Sequence, residues 1–182
     1  MSLISRAFEL FDGRAGLLRP LEVGDAEEIV AMLPRTHAES DFLGFMAGEF
    51  KLTVEEEREW IRKRVEGGQV ATIAAVVDGR IVGLAGCERS PFRRHAHHAE
   101  MGVTVLKEYW GLGVGRALSR AVLDWGRSAG LRMMRLRVFD GNARAIALYR
   151  SLGFVEEARL RDDALRADGG FHDTIIMTYR YT

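Results

Sequence analysis

The chain has 182 residues, 47% of them hydrophobic, and its 26 Lys+Arg balance 26 Asp+Glu for a formal charge of zero. That balance lacks the surplus of cations that nucleic acid or an anionic membrane demands, so neither is the expected partner. The length suits a single domain, 1–182, because a chain of this size buries roughly 70% of its unfolded surface. The single cysteine, Cys87, has no internal disulfide partner, and no basic-then-apolar leader is read at the start. Both point to a reducing cytoplasm. The apolar runs Ala71 to Val77 and Ile81 to Cys87 fall far short of the ~20 residues that span a bilayer.

In chain order, a short strand is expected over Gly16 to Arg19. A helix follows Asp25, with Glu28 three residues on as a capping-box signal. A second helical stretch comes next. Then Thr53-Val54-Glu55-Glu56 repeats the capping signature and opens a helix that runs to Gly67-Gly68. Two β-rich runs, Val70–Val77 and Arg80–Glu88, are separated only by Asp78-Gly79, which predicts a hairpin with positive φ at both turn residues. A basic loop, Arg89 to His97, leads to a strand over His98 to Val105. A glycine-rich loop and a helix ending near Gly130 follow. A strand over Met133 to Phe139 precedes a helix from Ala143 to Leu152, with Asn142 as N-cap and Gly153 just past its end. Phe154–Leu165 and Phe171–Tyr181 close the chain as a hairpin around Asp168-Gly169-Gly170. The sum is an α+β fold: a mixed, mostly antiparallel sheet with helices packed on it.

The stretch Tyr109-Trp110-Gly111-Leu112-Gly113-Val114-Gly115-Arg116 sits between a strand and an amphipathic helix. Glycines permit a tight turn and close approach, and the helix's first N–H groups point at whatever binds there, so the stretch reads as an anion cradle for a phosphate-bearing ligand. A P-loop is excluded because Arg116-Ala117 follows the last glycine in place of Lys-Ser/Thr. A dinucleotide fold fits poorly, since Arg116 takes the third glycine's place and hairpins precede the loop. A tight turn without a ligand is the remaining alternative.

Trp110-Gly111-Leu112-Gly113-Val114-Gly115 resembles the acetyl-CoA loop of the GCN5-related N-acetyltransferase (GNAT) superfamily, Gln/Arg-x-x-Gly-x-Gly/Ala. Asn142 to Phe154 is similar to that superfamily's Asn-x-x-Ala-x-x-Leu-Tyr-x-x-x-Gly-Phe element. Ala99-Glu100-Met101-Gly102 followed by Tyr-Trp-Gly looks most like the branch of ribosomal-protein N-terminal and spermidine acetyltransferases. The resemblance implies the acyl-CoA N-acyltransferase fold, with helices on both faces and strands that splay at the cofactor site. It also implies acetyl-CoA as co-substrate and, as acceptor, a small-molecule amine or a protein N-terminus. It leaves a homodimer open. A catalytically silent acyl-CoA sensor is the rival reading. Trp110 departs from the pattern, which shifts diphosphate binding onto backbone N–H groups.

The cofactor-binding residues the resemblance implies are Val103, Thr104 and Val105 on the splayed strand, Gly111, Leu112, Gly113, Val114, Gly115 and Arg116 in the loop, and Asn142. Asn142 reads equally well as a plain N-cap. Acetyl transfer to a lysine-like amine of pKa near 10.4 requires removal of a proton, about 4.6 kcal/mol at pH 7. Glu100 matches the acidic residue proposed as base in this branch, and its apolar sequence neighbours Ala99, Met101 and Val103 are expected to raise its pKa. A carboxylate paired with arginine is the alternative. Tyr149 is the candidate acid toward the departing thiolate; as a residue on a helical face with Ala145, Leu148 and Leu152 it also reads as core. His95, His97 and His98 lack metal-ligand spacing and read as a solvated loop, with His98 a candidate relay near Glu100. Glu55, Glu56, Glu57 and Glu59 read as a solvated helix face. Substrate choice is expected from Thr36–Lys51 and from the Asp162–Gly170 turn.

Overall fold

The computed structural model describes residues 5–44, 46, 48–49, 51–67 and 70–182. Its elements are β1 (Arg6–Glu9), β2 (Ala15–Pro20), α1 (Ala26–Glu39), α2 (Val54–Gly67), β3 (Val70–Val77), β4 (Arg80–Arg89), β5 (His98–Val105), α3 (Val114–Ser128), β6 (Met133–Phe139), α4 (Ala143–Ser151), β7 (Val155–Leu165) and β8 (Phe171–Arg180). The strands form one sheet in the order β1-β2-β3-β4-β5-β6-β8-β7. All neighbours are antiparallel except β5 and β6, which the α3 crossover makes parallel. The mixed α+β architecture read from the sequence is therefore the one observed.

Two clusters of buried side chains sandwich the sheet. On one face, α3 presents Val114, Leu118, Val122 and Trp125 at helical spacing to Ala99, Met101, Met134 and Leu136. On the other, Ile29 and Met32 of α1 and Ile61 of α2 meet Ala74, Ile81 and Leu106.

Local chemistry explains most boundaries. Asp78 and Gly79 have φ of +51° and +76°, the left-handed pair a two-residue hairpin needs. Thr53 and Glu56 form the expected reciprocal box: Glu56 N–H donates to Thr53 Oγ1 at 3.2 Å and Thr53 N–H to Glu56 Oε2 at 2.8 Å. The stop expected at Gly68 lies outside the described residues.

Four expectations are corrected. The strand β1 was not anticipated. α1 continues through Pro34 to Glu39, and no second helix precedes α2 among the described residues. Glu57 is not on a solvated face; it is buried, and desolvation raises its carboxyl against the opposing pull of Arg64. Asp25 does not cap α1 through a box with Glu28. Its carboxylate instead takes a bidentate bond from Arg19, 2.7 Å at each oxygen, and the Glu22 N–H at 2.8 Å, while Glu28 Oε1 accepts from Ile81 N–H.

This ion pair ties β2 to the start of α1 and sets a pH dependence. Burial alone would raise the Asp25 carboxyl, but the Arg19 bonds and the Glu22 N–H outweigh it and hold it below its ordinary 3.8. A depressed carboxyl stabilises the fold fully above its unfolded value, and that stability is lost as pH falls through the folded value. Asp25→Asn is expected to cost about 2–3 kcal/mol at neutral pH, because Arg19 keeps its charge without a partner. Urea melts at pH 7 and pH 3 check this: the gap between wild type and variant should narrow at the lower pH.

Candidate active site

β5 and β6 pair only at His98↔Met133, Ala99↔Met134 and Glu100↔Arg135. Past that seam each strand follows its antiparallel partner, β5 along β4 to Gly83↔Val105 and β6 along β8 to Phe139↔Thr174. The strands diverge, and the wedge between them is a cavity of about 740 Å³. Met101 to Val105 line one wall, Arg137 and Val138 the other, and Asn142 to Ala145 with Ala147 to Tyr149 close it.

At its end lies the glycine turn. Trp110 Nε1 donates to Val105 O at 2.7 Å, which folds the chain back toward β5. Gly111 and Gly113 sit at φ of +78° and +91°, conformations that L side chains rarely adopt. Gly113 is the N-cap of α3, and no side chain caps that helix. Its first N–H groups are therefore open toward the cavity.

Most of the predicted cofactor residues converge here: Val103, Thr104, Val105, Gly111, Gly113, Gly115, Arg116 and Asn142 all line the cavity. Leu112 and Val114 do not. Leu112 O accepts from Phe11 N–H at 3.1 Å, and Val114 is fully buried under the sheet, so both shape the turn from behind. Asn142 serves as N-cap, Oδ1 accepting from Ala145 N–H at 3.2 Å, while also facing the cavity. The Thr104 Oγ1 has no hydrogen-bond partner among the described residues.

A residue missed in the sequence answers the Trp110 departure. The Arg144 guanidinium lies 4.5 Å over the Trp110 ring and lines the cavity. Stacking on an aromatic face orients a guanidinium without neutralising it. Arg116, whose Nη2 donates to Ser151 Oγ at 2.9 Å, is a second cation at the same end. Open helix N–H groups, two arginines and a strand with unpaired backbone fit a ligand with a diphosphate and an amide-bearing tail.

Tyr149 lines the cavity from α4, packs edge-on to Phe154 at 5.7 Å, and is 8% exposed. Burial pushes its phenol up to about 12, and its hydroxyl has no hydrogen-bond partner among the described residues. Glu100 is placed differently from expectation. It is exposed, stands opposite Glu88 and beside Arg135 in register, and does not line the cavity. Strand alternation is the reason: Ala99 and Met101 face the buried side, so the residue between them faces the other. His95, His97 and His98 also lie outside the lining; burial first, then the charges of Arg135, His97 and His95, lowers His98. Cys87 is buried in β4, away from the lining, and burial pushes its thiol up to about 12, which removes it as a nucleophile.

The segment expected to select substrate contributes Thr36, Ser40, Phe42, Leu43 and Gly44. Positions 45, 47 and 50 of that segment lie outside the described residues. The Asp162–Gly170 turn does not reach the cavity. Behind the lining, the closing hairpin buries His172, 6% exposed and stacked on Phe139 with ring centroids 5.0 Å apart. Its nitrogens lie 3.4 Å from Asp41 and 3.6 Å from Asp140, between the segment after α1 and the β6–α4 turn.

A diverging strand pair with an uncapped helix start at its end defines an acyl-CoA-type transferase fold and site. Residues 36–154 match the Acetyltransferase (GNAT) family, and the chain belongs to it. It is 29% identical over 107 residues to the L-methionine sulfoximine/L-methionine sulfone acetyltransferase of Pseudomonas aeruginosa, covering 58% of this chain and 62% of that protein. It is 40% identical over 75 residues to the ribosomal protein bS18-alanine N-acetyltransferase of Escherichia coli, covering 41% of this chain and 50% of that protein. The chain thus matches less than two thirds of either relative's length. Among solved structures, a GNAT-family acetyltransferase from Streptococcus pneumoniae superposes with a TM-score of 0.87 at 30% identity, covering 91% of this chain and 99% of that one. The yncA structure from Salmonella typhimurium, solved with its cofactor acetyl-CoA, shares the fold with a TM-score of 0.80 at 21% identity, covering 90% and 92%.

Proposed function

We propose that this chain is a working N-acetyltransferase that moves the acetyl group of acetyl-CoA to a primary amine by direct attack in a ternary complex. The observation that carries the reading is the wedge between β5 and β6, which ends at the open N–H groups of α3 and has the Tyr149 phenol on its wall. Bound acetyl-CoA supplies an activated thioester. The chain's own groups do the rest. The turn at Gly111–Arg116 and the Arg116 and Arg144 guanidinia hold the diphosphate. The unpaired edge of β5 receives the amide-bearing arm as an extra strand would be received. Tyr149 donates a hydrogen bond from its hydroxyl to the sulfur as charge develops there. Glu100, outside the cavity, takes the amine proton through water. With Cys87 buried and raised, no thiol is placed to carry an acyl intermediate. No helix among the described residues is long and apolar enough to cross a membrane, and a free buried cysteine suits the cytoplasm we assign.

Calorimetric titration with coenzyme A and a thiol-release assay with an amine panel test this reading together. Heat on titration with amine-dependent thiol release supports it. Heat without thiol release from any amine replaces it with a silent acyl-CoA sensor, and no heat removes the acyl-CoA assignment altogether.

A further inference from the structure

The charged side chains lining the cavity are all arginines: Arg116, Arg144 and Arg137, with no carboxylate among the described residues. Two of them approach from α3 and α4 and are accounted for by a diphosphate. The third is on the opposite face of the sheet. Glu100 stands across from Arg135 on β6 and from Glu88 on β4, and Glu88 accepts from Arg64 of α2 at 2.9 Å. This face therefore carries α1 and α2, and the two-residue period puts Arg137 on it, two positions beyond Arg135. The same face holds the segment Thr36–Gly44, which completes the lining on the acceptor side. Arg137 is exposed and makes no ion pair or hydrogen bond among the described residues.

A free guanidinium in a cavity without carboxylates repels a polycation and is built to take an anion as a fork. On this side of the cavity the acceptor segment offers Phe42 and Leu43, both uncharged. We infer that the acceptor is a free α-amino acid with an uncharged side chain, its carboxylate held by Arg137 while its amino group faces the thioester. This rests on the acetyltransferase reading and narrows it. A polyamine has no carboxylate for Arg137 to hold, and a protein N-terminus carries an amide in its place.

The test compares L-methionine, L-methioninamide, spermidine and an amidated hexapeptide as acceptors for wild type, Arg137→Gln and Arg137→Lys, with acetyl-CoA binding measured by calorimetry on each protein. Wild type should prefer L-methionine to its amide. Arg137→Gln should raise the KM for L-methionine roughly 10- to 100-fold, the loss of one charge-assisted fork. The same change should leave the KM for L-methioninamide and the affinity for acetyl-CoA within about twofold, with Arg137→Lys recovering part of the loss. Spermidine or the amidated peptide acetylated as efficiently as L-methionine overturns the inference. So does an Arg137→Gln effect equal on acid and amide. Acetyl-CoA binding with no free amino acid acetylated overturns this inference alone, whereas absent acetyl-CoA binding overturns the parent reading.

Discussion

Tyr149→Phe is expected to lower kcat by about 10²-fold or more while leaving acetyl-CoA affinity unchanged. The phenylalanine ring keeps the edge-on packing against Phe154, and the hydroxyl it lacks has no partner to lose among the described residues, so folding should be unaffected. The raised phenol sharpens the role. At about 12 it stays protonated through the physiological range, and its donor capacity disappears only as pH rises through that value. Because burial holds the phenol well above the thiol's ordinary pKa near 8.5, complete transfer of its proton to the thiolate would run uphill. On the proposed mechanism, Tyr149 therefore holds a hydrogen bond to the sulfur and does not surrender its proton. Steady-state kinetics settle the matter, and a variant that keeps more than half of the wild-type kcat rules out the role. Glu100→Gln should cost less than Tyr149→Phe. Its deficit should shrink above pH 9, where more of the amine is already neutral.

The second large effect is expected at the turn. Gly113→Val places a β-branched residue at a φ of +91°, with its Cβ 3.2 Å from the Phe11 ring. The local strain is about 1–3 kcal/mol, which the loop can relieve only by moving off this geometry. That movement re-aims the first N–H groups of α3, and losing two charge-assisted bonds should weaken coenzyme A binding about 10²-fold or more. Calorimetry measures it directly. An affinity within threefold of wild type would mean that the diphosphate is held elsewhere. Thermal melting of the same variant separates this local effect from general unfolding, since core packing does not depend on the exposed Phe11 ring.

Features written in local chemistry were legible before the fold was known. Asp78-Gly79 dictates its turn, Thr53 and Glu56 their box, and the Gly111–Gly115 spacing its left-handed bend, because each depends on residues within a few positions. Where a partner arrives from far along the chain, local reading failed. Asp25 and Glu28 have the spacing of a cap, but Arg19 claims one and the Ile81 N–H the other. β1, four residues reading Arg-Ala-Phe-Glu, has no alternation strong enough to mark it and exists by pairing with β2. Glu100 illustrates a sharper limit. Its sequence neighbours are buried, and in a strand that is the reason it is not. Arg137 was invisible for the same cause: on an alternating strand it looks like one more outward-facing charge, and only the divergence of β5 turns that exterior position into a cavity wall.

The short seam between His98–Glu100 and Met133–Arg135 has a mechanical consequence. Six residues splice two half-sheets, one built from the first five strands and one from the last three, and beyond them no main-chain bonds join β5 to β6. A molecule seated in the wedge thus becomes the missing rung of the ladder. On the proposed function, donor binding would join the two halves across the wedge and stiffen the scaffold.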